Sequence, residues 1–322
     1  MSMLSAEVTE WGQTPKSVNV VPPQAPVHDN ETEIRVLATG LHQLVRSRAA
    51  GKHYTATELP HRPGVDGVGI NVSTGKKVYF SLLGTKQGSY AEIVNAPTRS
   101  IVELPDGVDP VVAAAMINPV MASWMALRKR AGLQDGKGFK VFINGVTTAS
   151  GKIAIKVSRH LGATSVVGSA RNKEALSKLD LDASVVLTDA PTETDFSAAA
   201  DADIVLDFLY GPWPNAFLLS PSTAAATNAI TWINIGSMAG DGGDISAMGL
   251  RRRDVTVRGS GPGSWDPKEL GAETVGMLKV LVGVGSEGLK KYRLDDVEKG
   301  WEDKGRDRVV FVLGEESEKL KE

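Results

Sequence analysis

KVFINGVTTASGKIAIKVSRHLGATSVVGSARN, residues 140–172, is the stretch that decides the fold. Val141, Phe142 and Ile143 form a short apolar run of the kind shown by a strand buried on both faces. Gly145 and Gly151 bracket a turn of small residues, Val146, Thr147, Thr148, Ala149 and Ser150. From Gly151 the period becomes helical: Ile153, Val157 and Leu161 fall four apart on one face, and Gly162 stops the helix. A second apolar run, Ser165, Val166 and Val167, follows at once. This order of elements aims backbone N–H groups and the positive end of a helix at one point. A dinucleotide pyrophosphate needs that arrangement.

The end of the second strand selects the dinucleotide. An NAD site carries an Asp or Glu there, on the ribose 2′-hydroxyl. Here the run ends Gly168, Ser169, Ala170, Arg171, Asn172, with no acid before Glu174. A 2′-phosphate suits these residues, with Ser169 donating a hydrogen bond and Arg171 supplying charge and a planar donor fork. Alternatively, Arg171 is a solvated residue after a strand. The turn departs from the three-glycine fingerprint, because Thr148 holds the middle position. A Cβ there crowds the pyrophosphate unless the loop sits further out.

Outward from this unit the alternation continues. Apolar runs at 184–187, 203–207, 232–236 and 255–259 read as third to sixth strands of a parallel sheet with helices on both faces. The first hundred residues differ, with short β-type runs at 33–37, 65–72, 77–80 and 89–94 broken by Gly and Pro. That spacing predicts a compact β-barrel-like domain. Residues 110–116 read as a helix entry and 120–131 as a separate, longer helix. The run 308–313 reads as a closing strand, and 315–322 as a solvated, frayed helix.

Composition sets the limits. With 322 residues, 42% hydrophobic and 23% charged, the chain has the size and make-up of a two-domain globular protein. A net charge of −2 gives no reason to expect nucleic acid or a membrane as partner. No apolar run reads as a membrane span and no export signal is seen, so the expected location is cytoplasmic. The absence of cysteine removes disulfides, thiol nucleophiles and thiolate metal ligands. The five histidines, His28, His42, His53, His61 and His160, show no ligand spacing, so no metal is expected.

A β-barrel-like half, a doubly wound half and a final strand returning to the first half resemble the medium-chain dehydrogenase/reductase superfamily. The resemblance covers nearly the whole chain. It is carried by Gly40-Leu41-His42, Pro63-Gly64-Val65-Asp66-Gly67-Val68-Gly69, Asn118-Pro119-Val120-Met121-Ala122-Ser123-Trp124, the turn at Gly145, Ile235-Gly236-Ser237-Met238-Ala239-Gly240 and Leu250-Arg251-Arg252-Arg253. It implies an α/β fold: a GroES-like β-barrel domain (1–115 with 265–322) and a Rossmann domain (116–264). The branch it points to is that of the zinc-free quinone oxidoreductases. Where zinc members carry their ligands, this chain has His42, Val65 and Asn118. The cysteines of the structural zinc lobe have no counterpart.

Without a Lewis acid, oxidising an unactivated alcohol is demanding, whereas an electron-poor acceptor already spreads the developing charge. The expected activity is therefore zinc-independent hydride transfer from NADPH to a quinone or α,β-unsaturated carbonyl. A zinc-free ketone or alcohol oxidoreductase and a non-catalytic NADPH-binding regulator are the alternatives.

Tyr54 matches a tyrosine that quinone oxidoreductases place near the nicotinamide, where its hydroxyl bonds the acceptor oxygen or donates a proton; packing against the barrel is its other reading. His53 is a weaker neighbour. His42 is expected to face the cleft and orient an acceptor carbonyl or ribose hydroxyl, or else to cap local backbone. Asn118 offers an amide to nicotinamide or substrate, and Asp66 braces a turn. Gly236 and Ser237 follow the fifth strand, at the edge where a nicotinamide lies. Arg251, Arg252 and Arg253 read as an anion patch or a solvated helix end. Pairing of the sixth strand with its twin is the route to a homodimer.

Overall fold

The computed structural model describes residues 2–26, 30–53, 55–133 and 136–319. The chain divides into two compact units, 1–118 with 271–322 and 119–270.

In the first unit, β1 (Met3–Glu7) and β2 (Lys16–Val20) form an antiparallel pair. A mixed seven-stranded sheet is organised around the ten-residue β3 (Glu31–Gly40). β3 pairs antiparallel with β4 (Asp66–Asn71) and, on its other edge, with β6 (Ile93–Pro97) through its N-terminal half. β5 (Lys77–Ser81) and β7 (Ile101–Glu103) extend the sheet beyond β4. A register shift between Val36 and Ala38 bends β3, as a bulge does. The inward-facing Ile34, Val36, Val78, Phe80, Tyr90 and Val94 fill the core. A short helix, α1 (Gln43–Ala49), follows β3.

Two expectations need correction here. Residues 89–91 do not join a strand; Ala91 bridges Ser5, and the strand begins only at Ile93. Residues 110–116 and 120–131 are not separate helices either. One helix, α2 (Pro110–Met125), runs through Pro119 and ends in a wider turn, Ala126–Arg130. A proline at this point forfeits one hydrogen bond of the ladder. The buried apolar residues on both sides of it, including Ile117, Val120, Trp124 and Met125, keep the helix together. The segment Pro110–Arg130 is also long and apolar enough to span a membrane by length and composition, contrary to the expectation of no such run. Of its most apolar window, 78% is buried inside the protein, as in a core helix.

The second unit is a six-stranded parallel sheet of β8 (Phe139–Asn144), β9 (Ala163–Ala170), β10 (Ala183–Val186), β11 (Ile204–Asp207), β12 (Ile230–Asn234) and β13 (Val255–Gly259). Their spatial order is β10-β9-β8-β11-β12-β13. This is the doubly wound order in which the chain reverses direction between its first and fourth strands, leaving a crevice at their carboxyl ends. Residues 235–236, expected within the fifth strand, lie just beyond β12. Helix α3 (Ala149–His160) crosses from β8 to β9 and buries Ile153, Ala154, Ile155 and Val157. On the sheet, Phe142, Phe196, Phe217 and Trp232 pack as an aromatic cluster with centroids 5.3–6.4 Å apart. Each of these rings is almost fully buried, so the cluster is a large apolar contribution.

Two further strands, β14 (Leu289–Arg293) and β15 (Arg308–Val312), belong to the first unit. β15 pairs antiparallel with the C-terminal half of β3, which realises the expected closing strand.

Candidate active site

The turn after β8 is built by mutual exclusion of side chains. Gly145 sits at φ 91°, in the left-handed region, and a Cβ on it would lie 2.9 Å from the Leu209 side chain. Gly151 packs its α-carbon against the turn. A Cβ there would come within 2.4 Å of the Gly145 carbonyl oxygen and 2.6 Å of Val146 Cα. These two glycines let α3 start hard against the strand end, a cradle that any Cβ would fill.

Thr148, whose Cβ the sequence expects to crowd the pyrophosphate unless the loop sits further out, closes the turn against α3. Its backbone is extended, φ −68° and ψ 160°, and it is the N-cap of α3. Its Oγ1 donates to the Gly145 carbonyl at 2.9 Å and accepts from the Gly151 N–H at 2.9 Å. The hydroxyl is thus turned inward and fulfils a capping role that glycine cannot. The remaining N–H groups of the first turn point out of the helix end, and no acidic residue stands in that turn to oppose an anion.

Ser169 departs from expectation. Its side chain is fully buried, and its hydroxyl donates to Asn144 Oδ1 at 2.7 Å while accepting from the Gly145 N–H at 3.2 Å. With its proton committed to Asn144, this hydroxyl is not the phosphate donor expected of it. Arg171 and Asn172 lie one and two residues past the strand and are exposed. Asn172 caps the next short helix, its Oδ1 accepting from the Ala175 N–H at 2.9 Å. Lys173 is exposed beside them, a second cation that the sequence reading passed over.

Beneath the turn lies a network that the sequence did not announce. Asp207, at the end of β11, is fully buried and accepts four hydrogen bonds: from Asn144 Nδ2 at 2.9 Å, Trp232 Nε1 at 3.0 Å, and the N–H groups of Leu209 at 3.0 Å and Tyr210 at 2.9 Å. Burial pushes its carboxyl upward, and these donors pull it back. The chain Asp207–Asn144–Ser169–Gly145 ties β11, β8 and β9 together at the point where strand order reverses. It fixes the turn from below.

Gly236 and Ser237 follow β12. The Gly236 N–H bonds the Asp207 carbonyl at 3.1 Å, and its own carbonyl accepts from Asn234 Nδ2 at 2.9 Å. Ser237 is exposed. Both line a cavity of about 460 Å³ with Tyr210, Asn234, Asp241 and Arg258. The cavity sits at the carboxyl ends of β12 and β13, where ligands of open α/β sheets bind.

In the first unit, His42 stands two residues past β3 and is buried. Its Nε2 lies 3.6 Å from Asp66 Oδ1, and neither ring nitrogen has a hydrogen-bond partner among the described residues. Asp66 also accepts from the Tyr79 hydroxyl at 3.1 Å, and its carbonyl accepts from Thr39 Oγ1 at 2.9 Å. Burial raises the Tyr79 and Tyr90 hydroxyls well above the usual phenol range, and the Asp66 charge adds to this at both. Burial lowers the Arg308 guanidinium to about 10. Asn118 is half-buried within α2. Tyr54 lies outside the described residues. His53 is half-buried, and its Nδ1 lies 2.8 Å from Thr55 Oγ1. Arg253 is tied down by Asn228 and the Ala202 carbonyl, leaving Arg251 and Arg252 as exposed residues at a helix end.

No family model matches the chain. A probable NADPH-dependent quinone reductase of Emericella nidulans is 29% identical to it, over 96% of this chain and 100% of that protein. The quinone oxidoreductase of Sus scrofa is 29% identical over 45% of this chain and 46% of its own length. Among solved structures, the quinone oxidoreductase of Thermus thermophilus, crystallised also with NADPH, superposes with a TM-score of 0.74. The two are 23% identical, over 97% of this chain and 100% of that one, a likeness that speaks to the fold. The architecture and these relatives define a two-part oxidoreductase with a Rossmann half. Along nearly its whole length the chain is similar to a probable NADPH-dependent quinone reductase, and it shares the fold of a quinone oxidoreductase.

Proposed function

We propose that this protein is an NADPH-dependent reductase that delivers hydride to a quinone or an α,β-unsaturated carbonyl. The observation that carries it is the strand–turn–helix unit at 139–160, closed by Gly145 and Gly151, with Arg171 exposed just past β9. The names of the two relatives, an NADPH-dependent quinone reductase and a quinone oxidoreductase, support the cofactor and the acceptor class.

When bound, NADPH supplies the hydride from its nicotinamide ring. Everything else falls to the protein. The backbone of Gly145, Val146, Thr147 and Thr148 and the first turn of α3 hold the pyrophosphate with N–H groups and the helix dipole. Arg171 neutralises the 2′-phosphate, with Asn172 and Lys173 beside it. Gly236 and Ser237 seat the nicotinamide end through backbone groups. On the acceptor side, Tyr54 and Asn118 orient the oxygen that becomes an enolate or hydroquinone oxyanion. His42, 3.6 Å from Asp66, orients the acceptor carbonyl or a ribose hydroxyl. Its two ring nitrogens have no hydrogen-bond partner among the described residues, which supports that role, because buried polar atoms without partners in a native protein call for a functional explanation.

On this reading the reaction needs no metal, and the chain has no cysteine to supply a thiolate ligand. The second unit ends in an exposed edge, since β13 pairs only with β12, and pairing of two such edges gives a homodimer.

The test is NADPH oxidation with a matched panel: quinones, enones, and the saturated ketones corresponding to the enones. Turnover of quinones or enones without the ketones is the expected result. Turnover of the ketones at equal rates supports instead a ketone reductase, and no turnover of any acceptor by NADPH-bound protein refutes the enzyme.

A further inference from the structure

Tyr210 has a backbone that its side chain does not favour. It stands three residues past the end of β11 at φ 55° and is the one non-glycine residue with positive φ among the described residues. For an L-residue with a large side chain this conformation is sterically unfavourable, and glycine takes it freely. Two restraints hold it there. Its N–H donates to Asp207 Oδ1 at 2.9 Å. Gly211 follows, also left-handed at φ 59°, where a Cβ would lie 2.7 Å from the Ala239 carbonyl oxygen. The chain must reverse here, and glycine at 210 would let it do so without strain.

The phenol does little for the fold. Tyr210 is half-buried, outside the aromatic cluster on the sheet, and its hydroxyl has no hydrogen-bond partner among the described residues. Its ring edge faces Gly243, where a Cβ would sit 3.1 Å from Cε1 and 3.2 Å from Cζ. It also lines the cavity shared by Gly236, Ser237, Asp241 and Arg258. Backbone strain held by a buried carboxylate, with the strained residue's ring on a cavity wall, marks a position kept for its side chain's task.

We propose that Tyr210 is a specificity-determining contact for the nicotinamide ring: its phenol walls the cavity at the carboxyl ends of β12 and β13 and selects which face of the nicotinamide is presented for transfer. The proposal rests on the NADP(H) reading of the second unit and deepens it. The contact is made by the ring, since the hydroxyl is not anchored by the protein and an aromatic face offers offset stacking to a flat heterocycle.

The experiment compares two ligands on the full chain, NADPH and 2′-phospho-ADP-ribose, which keeps every part of the cofactor except the nicotinamide. For Tyr210→Gly, which suits the left-handed backbone, NADPH binding is expected to weaken about tenfold. Binding of 2′-phospho-ADP-ribose is expected to stay within twofold of wild type. Transfer of deuterium from (4R)- and (4S)-deuterated NADPH loses its single-face preference. Tyr210→Phe behaves as wild type in all three, and Tyr210→Asn, which also tolerates positive φ, repeats the glycine result if that variant folds poorly. Unchanged NADPH affinity and facial preference in the glycine or asparagine variant overturns the proposal. Parallel weakening of both ligands also overturns it, by making Tyr210 a support for the loop. Failure of wild type to bind either ligand is a different failure, that of the cofactor reading itself.

Discussion

Replacing Gly151 with alanine tests whether the turn after β8 is the cofactor cradle. The new Cβ would meet the Gly145 carbonyl oxygen at 2.4 Å and Val146 Cα at 2.6 Å, both backbone atoms of the turn. Contacts under 3.0 Å are not sustained, so turn and helix must separate by more than half an ångström. Overpacking against atoms that cannot rotate away costs about 1–3 kcal/mol. Alanine returns up to about 1 kcal/mol through its helix propensity, because Gly151 lies in the first turn of α3. The net loss is about 1–2 kcal/mol, a fall in melting temperature of roughly 2–8 °C for a unit of this size. Displacement also takes the N–H groups of the turn off the pyrophosphate, so NADPH binding should weaken at least tenfold, about 1.4 kcal/mol. Lys152→Ala, one residue on and exposed, is the control and should change neither quantity by much. Thermal melts with and without NADPH, together with fluorescence titration, read both effects. A Gly151→Ala protein that melts and binds as wild type refutes the reasoning.

Three other outcomes follow from the structure. Ser169→Ala should cost about 1–2 kcal/mol by leaving Asn144 Oδ1 without its donor, yet keep any preference for NADPH over NADH; loss of that preference on cofactor titration would restore Ser169 as a phosphate contact. His61 is held at about 4 by burial and, second, by the charge of Arg48, below its ordinary value near 6.5. The unfolded chain therefore takes up this proton first, and stability is present above about pH 6.5 and lost as pH falls toward 4. Denaturant melts across that window should show a decline of about 2 kcal/mol that His61→Gln flattens. Val257 is exposed on β13, and Val257→Lys should convert a dimer paired through that edge to monomer on size-exclusion chromatography; an unchanged elution volume removes this edge as the interface.

The parts of the fold legible in the sequence were those carried by local signals. β8 and β9 show as apolar runs because a parallel strand is covered on both faces, and β13 appears with the bounds read from its residues. Gly145 and Gly151 are legible because their geometry excludes every other residue. The Asp207 network was not, since its members come from β8, β9, β11 and β12 and meet only when strand order reverses. The burial of Ser169 carries no local signal, because the Asn144 that takes its hydroxyl comes from the neighbouring strand, and the exposed residue at this end is Arg171. The single helix α2 was read in two pieces, 110–116 and 120–131, because apolar burial on both sides of Pro119 is not visible in local propensity. Tyr210 gave no signal at all, because a tyrosine in the left-handed region is a property of its surroundings. The place of His42 beside Asp66 gave no signal either, because the two lie 24 residues apart and meet only where β4 pairs with β3.

The central claim is that the second unit binds NADPH through the turn after β8 and the cation past β9. Direct titration of the purified protein with NADPH and NADH, for wild type and Arg171→Ala, tests it most directly. Wild type should prefer NADPH at least tenfold, about 1.4 kcal/mol, and the variant should lose most of that preference while binding NADH as before. Equal affinity of wild type for both cofactors, or binding of neither, would contradict it.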